Sequence, residues 1–160
     1  MKKQKGFSLN ELLIVVAIIL IIAAIAIPNL LRSKMAANES SAVGSLRTIN
    51  TAEVTYNNNY PTVGYGALAS LGGAAASCAG ATFASSTAAC LIDNTLASGT
   101  KSGYLFVATA AGGTPATTYA STATPVTPGQ TGQRNFCSDQ SGVIYNTQNP
   151  TACTNAANPL

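Results

Sequence analysis

The most informative part of this sequence is the long apolar stretch KGFSLNELLIVVAIILIIAAIAIP, residues 5–28. Residues 12–27 are sixteen consecutive apolar residues, and Leu30 and Leu31 extend the apolar run beyond the proline. A helix of about 25 such residues is long enough to cross the roughly 30 Å hydrocarbon layer of a bilayer. The sequence therefore predicts one membrane-spanning helix near the N-terminus.

Lysines before the apolar run set its expected orientation. Lys2, Lys3 and Lys5 lie within the first six residues, and short Lys-rich flanks stay on the cytoplasmic side of a membrane. A conventional secretory signal has an apolar region of only about 7 to 15 residues and a small-residue cleavage site, whereas this run is longer. On hydropathy alone the segment is a plain single-pass anchor, with the N-terminus inside and the rest of the chain outside.

The overall composition excludes several classes of function. The chain has 160 residues, no histidine and five acidic residues, so it has few of the usual general acids, general bases or metal ligands. Without Lys2, Lys3 and Lys5, the remaining five cations balance the five acids. That balance provides no basic stripe that could follow a phosphate backbone. We therefore expect no catalytic residues, no metal or other cofactor and no direct nucleic-acid site.

The first thirty residues resemble the N-terminal signature of type IV pilins and of the related pseudopilins of type II secretion systems. The shared features are a short basic leader ending in Gly6, then Phe7, then Glu11 four residues later, and a long apolar run to Pro28. The resemblance implies that a prepilin peptidase cleaves between Gly6 and Phe7. It also implies that the new amine of Phe7 is methylated.

Glu11 requires a partner, because an acid at the centre of a membrane helix is penalised by about 2.5 to 3.5 kcal/mol. Its place in the first turns of the helix lets the macrodipole recover about 0.3 to 1 kcal/mol. The α-amine of Phe7 on a neighbouring copy is the expected partner, and two unit charges about 4 Å apart attract by roughly 4 kcal/mol before desolvation. The resemblance therefore implies a role in subunit assembly for Glu11.

The helix is expected to continue from Phe7 to about Asn57. Pro28 removes a backbone hydrogen bond and is expected to bend the helix near Ala24, or only to mark the end of the span. After it, apolar residues recur at spacings of three, four or seven, which is typical of a helix packed on a sheet. The stripe consists of Leu31, Met35, Ala42, Leu46, Ile49, Ala52 and Tyr56, with Arg32, Lys34, Asn38, Glu39 and Arg47 on other faces.

The four cysteines all lie in the C-terminal part and predict disulfides in an oxidising compartment. Cys78, Cys90, Cys137 and Cys153 allow three pairings, which the sequence alone does not decide. Pairing Cys78 with Cys90 and Cys137 with Cys153 is favoured because each closes a local loop. The cysteines lack the CxxC clustering of zinc sites. The second loop also resembles the C-terminal disulfide-bounded region of many type IV pilins.

Residues 61–100 are expected to form a long connection rich in Gly, Ala and Ser. Strand-like patterns follow it, and Asp139 and Gly142 suit the ends of a tight turn between the last two. An antiparallel sheet of three or four strands is therefore predicted, packed on the helix. The predicted strands are 104–109, 119–124, 133–138 and 143–145.

The resemblance implies an α+β, pilin-like fold: a leader at 1–6, a transmembrane half-helix at 7–31, an amphipathic half-helix at 32–60 and a globular head at 61–160. It implies a structural subunit that sits in the bacterial inner membrane and then polymerises into an extracellular pilus for adhesion, motility or DNA uptake. Its partners would be membrane lipid, the prepilin peptidase, an inner-membrane assembly platform and other copies of itself in a helical homopolymer. The alternatives are a secretion-system pseudopilin and a membrane-anchored binding module.

Overall fold

The computed structural model describes residues 8–73, 78, 84–149 and 151–160. Its longest element is helix α1, Leu9–Asn59, which is 51 residues long and contains Pro28. The chain consists of two compact units, residues 1–34 and 35–160. Helix α1 begins in the first unit and ends in the second, within the asparagine-rich segment where the sequence predicts a helix end.

The described part of the first unit is apolar helix without a protein core. Its large apolar side chains are exposed; Leu20 and Ile21, for example, are each 63% exposed. Helix α1 is the one helix among the described residues that is long and apolar enough to cross a membrane. Within its own unit this apolar half has no cover among the described residues.

The second unit has its core between α1 and a sheet. The predicted stripe is buried at Ala42, Leu46, Ile49, Ala52 and Tyr56, whereas Met35 is half-buried and Leu31, in the first unit, is exposed. The sheet contributes the larger side chains of the same cluster, which are Tyr104, Phe106, Phe136 and Ile144. The helical spacing of the apolar residues thus matches the packed face along most of the predicted stripe.

The sheet has six antiparallel strands in sequential order. Two-residue strands form its edges, and they are too short to leave a periodic signal in the sequence. The four long inner strands match the predicted ones to within a few residues, so the α+β class is confirmed and the strand count was too low. The strands are β1 Thr100–Lys101, β2 Tyr104–Ala111, β3 Thr118–Pro125, β4 Arg134–Asp139, β5 Ile144–Gln148 and β6 Asn158–Pro159.

The connection between α1 and the sheet has more structure than the sequence suggested. It contains the short helices α2, Leu68–Leu71, and α3, Asn94–Ala97. Leu71 and Leu96 are fully buried in the core, and the Asp93 side chain caps α3 by accepting from the backbone N–H of Leu96 at 2.9 Å. The long connection predicted over 61–100 is present, and isolated leucines among its small residues anchor it to the core.

Candidate functional site

The start of helix α1 is a capping box built from Ser8 and Glu11. The backbone N–H of Ser8 donates to the Glu11 carboxylate at 2.9 Å, and the Ser8 hydroxyl accepts from the backbone N–H of Asn10 at 3.3 Å. The Ser8 carbonyl accepts from Leu12 N–H at 3.2 Å, which begins the helical ladder. This capping box is incomplete, because the Glu11 carboxylate satisfies the Ser8 N–H while the Ser8 hydroxyl accepts from Asn10 and not from Glu11.

The hydrogen bond from Ser8 N–H makes Glu11 a helix-capping residue, in addition to its expected role in assembly. The signal is present in Ser8-Leu9-Asn10-Glu11, since Ser or Thr followed three residues later by an acid and then an apolar run is typical of a helix start. The negative charge also lies where the positive end of the helix dipole favours it. Gly6 and Phe7, the predicted cleavage and methylation residues, lie outside the described residues.

Pro28 lies inside α1, and helix is continuous on both sides of it. The Ser33 hydroxyl donates to the Asn29 carbonyl at 3.0 Å in the following turn. The bend expected near Ala24 stays a prediction. Around the proline, residues 12–27 except the half-buried Ala23, together with Leu30, present exposed apolar side chains on every side of the helix.

The head is attached to α1 by a carboxylate that we expected on another face. Glu39 is only 9% exposed; its Oε1 accepts from the backbone N–H of Gln133 at 2.9 Å and of Arg134 at 3.3 Å. Its Oε2 accepts from Arg134 Nε at 2.9 Å and Nη2 at 2.8 Å. Placing Asn38 and Glu39 away from the packed face was therefore wrong, since Asn38 also donates to the Thr131 carbonyl at 2.9 Å.

A second buried carboxylate, Glu53, holds the segment that follows α1. Its Oε2 accepts from the backbone N–H of Gly66 at 2.9 Å, and the residue is fully buried. Burial raises the pKa of Glu53 to about 7, against a smaller lowering by the Gly66 hydrogen bond. Its neighbour Tyr56 donates from its hydroxyl to the Ser86 carbonyl. These contacts fix the connection to the helix.

Two disulfides close local loops in the head. Cys78 joins Cys90 and Cys137 joins Cys153, each with the Cα atoms 5.6 Å apart. The second bond ties strand β4 to the C-terminal segment, where Asn135 Nδ2 also donates to the Thr151 carbonyl at 2.7 Å. The last residues of the chain are thereby held beside the sheet. Among the described residues, no group of three or more His, Cys, Asp or Glu side chains could hold a metal ion.

Comparison with known families identifies the N-terminal segment. Residues 1–27 match the family model for the prokaryotic N-terminal methylation motif. The chain carries a prepilin methylation motif. This motif ends one residue before Pro28, so it includes the leader, Phe7, the Ser8–Glu11 capping box and the exposed apolar run of α1. The α+β arrangement of a long apolar N-terminal helix and an antiparallel sheet is consistent with the pilin fold.

Curated relatives of this chain come from two kinds of machinery, type IV pili and type II secretion systems. The type IV wide pilus major component PilA4 of Thermus thermophilus is 45% identical over 74 residues, 45% of this chain and 56% of the relative. The type II secretion system core protein G of Escherichia coli is 36% identical over 67 residues, 40% and 46% of the two chains. The type IV major pilin protein PilA of Myxococcus xanthus is 44% identical over 54 residues, 34% and 24% of the two chains.

The aligned part thus spans about half the length of the first two of these relatives. No solved structure gives a significant match.

Proposed function

We propose that this chain is the structural subunit of a type IV pilus, which polymerises through helix α1 into an extracellular fibre. One observation carries the proposal. The prepilin methylation motif of residues 1–27 includes a helical half whose apolar side chains are exposed on all sides. An apolar helix of this kind must be covered first by lipid and then by neighbouring copies of itself.

Burial of the apolar half of α1 keeps it out of water both in the membrane and in the fibre. Fully burying one Leu, Ile or Val side chain contributes about 1.5 to 3 kcal/mol relative to water. Lipid buries these side chains from water equally well, so van der Waals packing between helices must drive the transfer from membrane to fibre. The apolar run alone gives no register between neighbouring helices, and a specific polar contact is needed to set it.

Glu11 supplies that contact in this proposal. Its carboxylate lies in the first turn of α1, next to the N-terminus that cleavage after Gly6 would create at Phe7. A neighbour's positively charged amine can reach this carboxylate from the side and fix the axial position of each new subunit. The capping box holds the side chain at the helix end, ready for that contact.

The proposal assigns a sequence of locations to the chain. The leader stays in the cytoplasm, α1 spans the inner membrane and the disulfide-bonded head lies outside. Prepilin peptidase cleaves and methylates the chain, and an inner-membrane assembly platform inserts it into the growing fibre. In this proposal the chain has no catalytic activity and needs no cofactor.

Shear fractionation with mass spectrometry tests the proposal. Fibres sheared from cells should contain a chain that begins at N-methylated Phe7. Its mass should be lower than that of the same chain with reduced cysteines by the hydrogens that two disulfides remove. The Glu11→Ala variant should be processed but stay in the membrane fraction, whereas the Asn10→Ala control should still form fibres. A chain in the fibres that retains Lys2 to Gly6, or unchanged fibre yield from Glu11→Ala, would contradict the proposal.

A pseudopilin of a type II secretion system is the second candidate. It is favoured by the relatives named type II secretion system core protein G, including those of Escherichia coli and Vibrio cholerae. This function predicts a processed chain that stays in the membrane fraction and is absent from sheared fibres. It also predicts that deleting the gene reduces protein secretion and leaves surface fibres unchanged.

A further inference from the structure

The face of the sheet turned away from helix α1 carries a groove of about 550 Å³. Side chains alternate between the two faces of a strand, so the neighbours of the core residues Phe106 and Ala123 along β2 and β3 point outward. The floor is formed by β2, β3 and β4, and one wall is formed by the C-terminal segment 153–155. Small-molecule sites have volumes of about 300 to 1,000 Å³, and this groove is within that range.

Threonine hydroxyls line the floor of the groove. Thr109 of β2 and Thr118 and Thr122 of β3 face outward around Ala120, because Thr109 pairs with Ala120 and Ala111 with Thr118 in the register. Within the described part of the chain, no side-chain hydrogen bond involves these three hydroxyls. Each therefore has a donor and two acceptor sites to offer a ligand, beside methyl groups that offer apolar contact.

Asp139 supplies the charged group at the end of the groove. Its carboxylate accepts from the backbone N–H of Ser141 at 2.9 Å. Hydrogen bonds from the side chains of Ser141 and Asn155 and from that N–H lower the pKa of Asp139, against a smaller effect of burial. An ionised carboxylate accepts strongly from hydroxyl groups, and with three of its about four acceptor sites filled Asp139 keeps one for a ligand.

The walls of the groove are held in place before any ligand arrives. The Cys137–Cys153 disulfide fixes the C-terminal wall to β4, and the Thr147 hydroxyl donates to the Thr151 carbonyl at 2.9 Å. The ring of Tyr145, opposite Cys137 in the register, closes one side of the groove. Preorganised walls reduce the entropy lost on binding, so the groove suits a small rigid ligand.

Charge and polarity select the class of ligand. Among the described residues, no cation lines the groove; Arg134 is paired with Glu39 and Lys101 with Asp93. Asp139 repels anions such as phosphates or sialylated sugars. A purely apolar ligand would cover the hydroxyls and the carboxylate without giving them hydrogen-bond partners, which opposes its binding. A neutral ligand with many hydroxyls is not repelled by Asp139 and gives the polar groups of the groove hydrogen-bond partners.

We propose that this groove, the outer-sheet groove, binds one or two rings of a neutral sugar. Asp139 accepts from one sugar hydroxyl at its remaining acceptor site, Thr109, Thr118 and Thr122 exchange hydrogen bonds with others, and the Tyr145 ring covers an apolar face of the sugar. This inference goes beyond the proposed assembly function and does not depend on it, since the groove lies entirely within residues 109–155 of the head.

Binding is measured on the full chain in micelles of a zwitterionic detergent, because detergents with sugar headgroups would compete for the groove. Saturation-transfer NMR is run with glucose, galactose, their N-acetylamino derivatives and β-linked disaccharides of these, and with sialyllactose as an anionic counterpart. We expect transfer to at least one neutral sugar with a Kd of about 1 mM or tighter, and none to sialyllactose.

Variants locate the binding. Thr122→Val removes a hydroxyl at nearly constant shape and should weaken binding about fivefold, and Asp139→Asn should weaken it about tenfold. Thr124→Val is the matched control, since Thr124 faces the same side of β3 two residues away but outside the groove, and it should bind like the original chain. No transfer to any neutral sugar, preferential transfer to sialyllactose, or equal affinities of Thr122→Val and Thr124→Val would overturn the proposal.

Discussion

The Glu53 carboxylate accepts a hydrogen bond from the backbone N–H of Gly66 at 2.9 Å, while its other oxygen, Oε1, is buried without a partner among the described residues. A half-satisfied buried carboxylate is costly when ionised, because the surrounding apolar atoms do not solvate the charge. The protonated form is therefore favoured in the folded head. Tyr56 and Tyr119 also face this carboxylate, and each has its pKa raised, first by burial and then in part by the charge of Glu53.

We predict that the head loses stability as pH rises from about 4.5 to 8. Folding raises the pKa of Glu53 from 4.5 to about 7. Between these values the folded state binds more protons than the unfolded state, so stability falls as pH rises and levels off above about pH 7. The expected loss is about 3 kcal/mol. Denaturant unfolding of the full chain in micelles, followed by near-UV circular dichroism at several pH values, measures it.

Glu53→Gln is the control for this pH dependence. The amide oxygen can still accept from Gly66 N–H, and the side chain cannot ionise. Its stability should be nearly constant over the same pH range and exceed that of the original chain at pH 8. The lowered pKa values of Asp93 and Asp139 affect stability only near and below their ordinary value of 3.8, so they leave this window clear. Equal slopes for both proteins would show that Glu53 is not the responsible group.

The two ion pairs of the head should differ in their contribution to stability. Arg134→Ala leaves Glu39 buried without its cation and should destabilise the head by about 1 to 3 kcal/mol. Lys101→Ala breaks the exposed Asp93 pair, whose side chains are 34% and 49% accessible, and should change stability by less than about 1 kcal/mol. Chemical denaturation of both variants at pH 5 gives the comparison. A larger loss from Lys101→Ala than from Arg134→Ala would contradict the assignment of Glu39 as the main polar attachment.

Gly64 should not tolerate a side chain. Its φ is +85°, and a Cβ there would meet the backbone of Ala116, with which Gly64 forms a parallel bridge. We expect Gly64→Ala to destabilise the head by about 2 to 4 kcal/mol. Gly44→Ala is the matched control: Gly44 lies in α1 with no atom within 4 Å of the added Cβ, so the helix should gain about 1 kcal/mol. Thermal unfolding of the two variants should shift in opposite directions.

The capping and assembly roles of Glu11 can be separated by substitution. Glu11→Gln keeps an oxygen that can accept from Ser8 N–H but removes the charge, whereas Ser8→Ala removes the capping hydroxyl and keeps the charge. We expect Glu11→Gln to reduce sheared fibre yield at least tenfold because the attraction to a neighbour's amine is lost. Ser8→Ala should loosen the first turn by about 1 kcal/mol and retain most fibres. If Glu11→Gln assembles normally, the charge is not what sets the register.

Local pattern predicted the long elements of this fold, whereas contacts with distant residues determined the burial that it missed. The apolar run of residues 12–27 and the stripe ending at Tyr56 need only helical spacing to be recognised. Likewise, alternation predicted β2 to β5. The burial of Glu39 depends on Gln133 and Arg134, 94 and 95 residues away in sequence. A glutamate in a helical segment that also carries Arg32, Lys34 and Arg47 is typical of a solvated face, so nothing in that segment indicates such a contact.

The candidate sites also differ in whether one short segment of sequence contains all of their residues. The methylation motif and Glu11 are visible in a short segment, and the spacing of Ser8 and Glu11 also carries the signal of the capping box, although we did not predict that contact. The outer-sheet groove combines residues from three strands and the C-terminal segment. Its threonines look like ordinary strand residues until the register sets them side by side, so no single stretch of sequence predicts it.

The polar contacts between α1 and the strand region after Thr131 also determine how the head would respond to force. Asn38 bonds to Thr131, Glu39 to Gln133 and Arg134, and Asn50 to Ser138. These contacts are spread along several turns of one helix, so a pull along the helix axis loads them together in shear instead of one after another. A fibre made of such subunits would transmit tension from helix to sheet through these bonds in parallel.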